Sequence, residues 1–99
     1  MRASQILEKH RQAIRELEKR YEEKGITNFR VIGSVANGTD TEHSDIDFLV
    51  DARDNVSLFT IGGLYSELEY ILNIKIDLVV SSEIHPYFKK RILEEAKHV

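Results

Sequence analysis

Between Ser4 and Lys24 the apolar residues Ile6, Leu7, Ala13, Ile14, Leu17 and Tyr21 recur mostly three or four positions apart. That spacing gathers them on one stripe of an α-helix, with Ser4 placed to cap its start and Gly25 its end. Asn28 to Ile32 reads as a strand that stops at Gly33, and turn-forming residues continue to Ser44. From Asp45 to Asp51 the period changes to two. Ile46, Phe48 and Val50 share one face of the predicted strand, while Asp45, Asp47 and Leu49 share the other. A second helix is predicted between Asn55 and Asn73 from Ile61, Leu64, Leu68, Ile71 and Leu72, with Ser57 as its N-cap. Gly62 and Gly63 weaken that helix locally and point to close packing on the sheet. The third strand, Ile74 to Val80, sets Lys75 and Asp77 opposite Ile76 and Leu78. Pro86 then opens a last helix in which Phe88, Ile92 and Ala96 repeat every four residues. The order α-β-(turn or short helix)-β-α-β-α predicts a small two-layer α/β domain, a mixed sheet with packed helices, spanning residues 1–99 as one unit.

Composition narrows the function. A chain of 99 residues suits one core. There is no cysteine, which excludes disulfides, zinc-thiolate sites and cysteine nucleophiles. No apolar run approaches the roughly 18 residues of a membrane span, and no signal-like segment follows Met1, so a soluble cytoplasmic protein is expected. The formal net charge of -3 argues against direct nucleic-acid binding, which needs clustered Lys or Arg.

Candidate chemistry is concentrated between Gly33 and Asp47. Gly33 and Ser34 fall where a strand gives way to a new segment, so backbone N–H groups and a hydroxyl are offered to an anion such as a phosphate. Asp45 and Asp47 alternate on one strand face with Cα atoms roughly 7 Å apart. Asp77, also opposite its strand's apolar side, is placed to complete a carboxylate triad. Hard oxygen ligands select Mg²⁺ or Mn²⁺. The other acids of this region, Asp40, Glu42, Asp51 and Asp54, read as a solvated rim, and His43 as a solvated loop residue. His10, His85 and His98 show no metal spacing, and the four tyrosines read as core or interface residues. There is no Gly-Lys-Ser/Thr phosphate loop, and Leu49 stands where a calcium loop needs an oxygen ligand.

Gly33-Ser34, ten intervening residues, Asp45-x-Asp47 and a later acid in a hydrophobic strand resemble the signature of the DNA polymerase β-like nucleotidyltransferase superfamily. Length and the strand Ser44 to Val50 are most similar to the minimal nucleotidyltransferases of prokaryotes, which are encoded beside small helical HEPN proteins. The resemblance implies a nucleotidyltransferase using ATP and Mg²⁺ (or Mn²⁺). Asp45, Asp47 and Asp77 would be its catalytic and metal-binding residues, and Gly33, Ser34 and Ser44 would bind nucleotide. It further implies an antitoxin that assembles with a helical HEPN toxin and moves AMP onto a tyrosine of that partner. Val35 and Asn37 stand where the family commonly carries a large or basic residue and an arginine, leaving Arg30, Lys75 or a partner's residue as sources of positive charge. A catalytically inactive module that silences its partner by contact alone is the alternative reading.

Overall fold

The computed structural model describes residues 1–99. In chain order the elements are α1 (Ala3–Lys9), α2 (Arg11–Glu22), β1 (Ile26–Ile32), α3 (Gly33–Asn37), β2 (Ile46–Ala52), α4 (Leu58–Leu72), β3 (Ile76–Val80), a 3₁₀ turn (Ser81–Glu83), α5 (Pro86–Glu95) and β4 (Lys97–His98). The strands form one mixed sheet in the order β3-β2-β1-β4. β1 is antiparallel to both β2 and β4, while β3 runs parallel to β2, with α4 supplying the crossover.

Alternation in β2 behaves as the sequence predicts on its apolar side. Ile46, Phe48 and Val50 are fully buried and join Ile14, Leu17, Phe29, Leu64, Leu68 and Ile76 in one core beneath α2 and α4. The opposite face is not purely acidic, because Leu49 is also fully buried, outside that contiguous core. Along β1 the register slips between Thr27 and Arg30, so three steps on β1 match two on β2. Asn28, at φ 59, lies within this bulge.

The long first helix predicted for Ser4–Lys24 is two helices. His10, at φ -108 and ψ 12, separates them. Ser4 does not cap α1. The free N–H of Ser4 instead donates to Asp40 Oδ2 at 2.7 Å, Arg2 Nη2 donates to Asp40 Oδ1 at 2.9 Å, and the N–H of Ala3 donates to the carbonyl of Thr41. A carboxylate 36 residues away along the chain thus satisfies the helix start and ties it to the loop before β2. Asp40 is therefore no solvated rim residue; it is buried.

Ser57 caps α4 as expected, its side chain accepting from the N–H of Thr60. A Cβ on Gly63 would approach the Tyr21 hydroxyl on α2, and one on Gly62 would meet nothing, so the glycine pair serves helix–helix packing at Gly63 rather than an approach to the sheet. The edge strand β4 was not anticipated. It pairs Lys97 with Val31 and His98 with Arg30, and buries Val99 at the end of the chain.

Candidate active site

β2 and β3 run parallel in a register that sets Asp47 directly beside Asp77. On the other side of β2, Ile32 at the end of β1 lies opposite Asp47. Gly33 follows Ile32, so the bend, Asp47 and Asp77 form a row across three neighbouring strands. Gly33 adopts φ +69, a left-handed conformation that residues with a Cβ rarely take, and a Cβ there would collide with Asp47 Oδ2. Glycine is needed at this position twice over, for its backbone and for the carboxylate beside it.

Asp47 is half-buried and Asp77 exposed. The carboxyl of Asp47 is pushed up to about 6, first by burial, then by its hydrogen-bonding proximity to Asp77 and by the negative charges of Asp77, Asp45 and Glu95. A cluster of acids that resists full ionisation is a place where a cation lowers the free energy. Asp45 sits one residue before β2 and Lys75 one residue before β3, where Lys75 Nζ lies 3.9 Å from Asp45 Oδ2. Asp45 is thus turned to a lysine on the flank, and no three His, Cys, Asp or Glu side chains form a ready-made ion cage. The donor set still fits a hard divalent ion in kind. Asp47 and Asp77 lie side by side, the crowded negative charge that raises the Asp47 carboxyl is the charge a cation would balance, and Asp45 would join them by releasing an exposed lysine.

The sequence-predicted serines are divided. Ser34 is the second residue of α3 and stands immediately beside the row of acids in the chain. Ser44 Oγ accepts from the N–H of Thr41 at 2.9 Å, closing the turn that feeds Asp45 into β2. Arg30 is not available to a nucleotide. It is buried, donating to Asp51 Oδ1 at 2.5 Å and to the carbonyl of Asn28. Asp51 also accepts from Ser81 Oγ and Asn28 Nδ2, so it too belongs to a structural network and not to a solvated rim. Burial alone would raise its pKa, yet Ser81, Asn28 and Arg30 together hold its carboxyl below the usual range.

Glu95, the last residue of α5, is a site neighbour that the sequence reading passed over. Its Oε1 accepts from the N–H of Gly33 at 3.1 Å and its Oε2 from Asn37 Nδ2 at 3.3 Å. No sequence signal marked it, because α5 has no buried face, Phe88 is exposed, and the partner Gly33 lies 62 residues away. Asp45 and Asp47 are half-buried and Asp77 is exposed, outside the three surface hollows.

Comparison with known proteins identifies the fold and the family that carry this site. Residues 7–99 match the family model described as a nucleotidyltransferase domain. A Methanocaldococcus jannaschii relative, provisionally named a protein adenylyltransferase, is 40% identical over 96 residues, covering 96% of this chain and 92% of its own. The protein adenylyltransferase MntA of Thermococcus cleftensis is 34% identical over 94 residues, covering 95% and 89%. Among solved structures, one described provisionally as a minimal nucleotidyltransferase superposes with a TM-score of 0.81 at 30% identity, covering 97% of this chain and 95% of its own. The MntA–HpeT toxin–antitoxin complex carrying a Y104A mutation includes a chain that superposes at 0.70 with 25% identity, covering 90% of this chain and 70% of that one. The row of acids beside a glycine bend is thus carried on a fold and a sequence that both lead to one assignment: the chain belongs to the nucleotidyltransferase family, among its minimal members.

Proposed function

We propose that the chain is a Mg²⁺-dependent protein adenylyltransferase that moves AMP from ATP onto a hydroxyl, a tyrosine in this reading, of a helical HEPN toxin, and acts as that toxin's antitoxin. The observation that carries this is the in-register pair Asp47 and Asp77 beside the Gly33 bend. The names of the relatives support the transferred group, and the toxin–antitoxin complexes support the kind of partner.

In this mechanism Asp45, Asp47 and Asp77 would hold a divalent ion, which would supply charge neutralisation for the triphosphate. The Ser34 hydroxyl and the backbone N–H groups of α3 that follow Gly33 bind phosphate oxygens, while Gly33 keeps a side chain from intruding on Asp47. Asp77, exposed at the row's edge, takes the proton of the acceptor hydroxyl as its oxygen attacks the α-phosphorus. One O–P bond forms, the bond between the α-phosphorus and the bridging oxygen breaks, and pyrophosphate leaves with that oxygen. An acceptor carried on another protein suits the exposed Asp77, and hetero-oligomer formation follows from it. The large apolar side chains Leu58, Phe59, Tyr70 and Tyr87 are exposed and offer contact area.

The test is incubation of the purified chain with α-labelled ATP, Mg²⁺ and its genomic neighbour. Label appears on the neighbour with the wild-type chain and is absent with Asp47→Asn. Label that stays off the partner, or transfers equally well with the variant, refutes the reading.

A second reading, binding without catalysis, is favoured by one observation. Arg30 is turned away to Asp51, so neither it nor Val35 or Asn37 brings positive charge to the bend. Calorimetry separates the two, since binding of Mg²⁺-ATP at micromolar concentrations contradicts the binding-only view.

A further inference from the structure

The C-terminal fourteen residues do more than close the sheet. β4 pairs Lys97 with Val31 in an antiparallel ladder. Continuing that register by two residues in each strand sets Glu95 opposite Gly33. A ladder would satisfy the Gly33 N–H with a main-chain carbonyl, but the Glu95 carboxylate takes that donor instead. The same carboxylate reaches Asn37 at the other end of α3. Gly33 and Asn37 are four residues apart, one turn, so a single side chain spans the length of this five-residue helix. Glu95 itself has little freedom, because Ala96 turns the chain and Lys97, His98 and Val99 are bonded along β1.

We propose that Glu95 is a positioning residue for nucleotide binding. Its carboxylate clamps α3 at both ends, so that the Ser34 hydroxyl and the amides after it face the triphosphate while the Gly33 N–H is held in the fold and is not a phosphate donor. Asn37, where the family resemblance leads one to expect an arginine, is the second grip of this clamp. The inference rests on the adenylyltransferase reading for its consequence and on the hydrogen bonds alone for its geometry.

Two variants separate a clamp from its alternatives. Glu95→Gln keeps an oxygen for the Gly33 N–H, and its amide pairs with Asn37 once the Asn37 side-chain amide flips; Glu95→Ala keeps neither contact. Amide exchange followed by NMR on the nucleotide-free chain, with far-UV circular dichroism as the folding check, is expected to show a protected Gly33 N–H in the wild type and in Glu95→Gln. Loss of about tenfold in that protection is expected in Glu95→Ala, the scale of one hydrogen bond. Calorimetry with Mg²⁺ and a non-hydrolysable ATP analogue is expected to show a similar, about tenfold, weakening in Glu95→Ala and its recovery in Glu95→Gln. Unchanged Gly33 exchange in Glu95→Ala overturns the clamp. Tighter analogue binding by Glu95→Ala overturns it too, since the carboxylate would then occupy a phosphate position. Equal losses in both variants overturn it in favour of a need for charge. A wild-type chain that binds no analogue refutes nucleotide binding itself, and Gly33 exchange alone then decides whether Glu95 holds the bend.

Discussion

Gly33 and Asp47 are packed so closely that no Cβ fits between them, and the glycine's φ of +69 would oppose one in any case. Gly33→Ala therefore carries two penalties. The left-handed backbone costs about 1–2 kcal/mol for a residue with a Cβ, and the Asp47 carboxylate must shift out of its place beside Asp77. Thermal denaturation is expected to reveal the first penalty. Titration with Mg²⁺-ATP, at a temperature where the variant remains folded, is expected to reveal the second as lost affinity.

The same carboxylate destabilises the free protein. Asp47 holds its proton to about 6, whereas an unfolded aspartate releases it near 4. The folded state thus binds the proton more tightly, and the contribution is fully present below pH about 4 and lost as pH rises to about 6. Asp47→Asn removes the charge that Asp77, Asp45 and Glu95 oppose. Its melting temperature at pH 8 is expected to exceed that of the wild type, the advantage shrinking as pH falls below about 6, while adenylyl transfer disappears. A variant that melts lower than wild type at pH 8 would refute the idea of mutual repulsion.

What the sequence made legible divides along physical lines. Strand alternation is a period-two property of consecutive residues, so the face shared by Asp45 and Asp47, and the place of Asp77 opposite Ile76 and Leu78, could be read directly. The break at His10 could not. No proline or glycine marks it, and α1 is anchored by Asp40 far along the chain. β4 is two residues long and owes its existence to β1, leaving no pattern of its own. Asp40 and Asp51 looked like ordinary surface acids, and Glu95 drew no reading, because their partners Arg2, Arg30 and Gly33 are 38, 21 and 62 residues away. Charged groups whose partners are brought by tertiary structure carry no local signature.

Asp40 provides the clearest acid-sensitive tie. Burial alone would raise its carboxyl, but the Ser4 N–H and Arg2 outweigh burial and hold it below the ordinary range. A lowered folded value means stability present above about 3.9 and lost as pH falls through the folded value. Asp40→Ala leaves the Ser4 N–H without its acceptor and Arg2 with only the carbonyls of Gly38 and residue 40, and is expected to cost roughly 1–3 kcal/mol at pH 7 by denaturant unfolding. The difference from wild type is expected to narrow in strong acid. A constant difference down to pH 2 would show that Asp40 acts by packing and not by its charge.

Arg30 tests whether a cation near the acids serves the nucleotide or the fold. Its side chain is 9% exposed and its partner Asp51 is 42% exposed, so the pair is only half removed from water. Breaking a fully buried pair costs about 3–5 kcal/mol. Here Asp51 keeps Ser81 and Asn28, and the Arg30 stem is replaced by a side chain of similar length in Arg30→Met, so a loss of about 2 kcal/mol is expected. Affinity for Mg²⁺-ATP, measured where both proteins are folded, is expected to match the wild type, because the guanidinium points to Asp51 and Asn28 rather than to the Gly33 bend. A stable variant with weakened nucleotide binding would reverse the assignment. It would make Arg30 the positive charge that Val35 and Asn37 do not supply, with its hold on Asp51 given up when the triphosphate arrives.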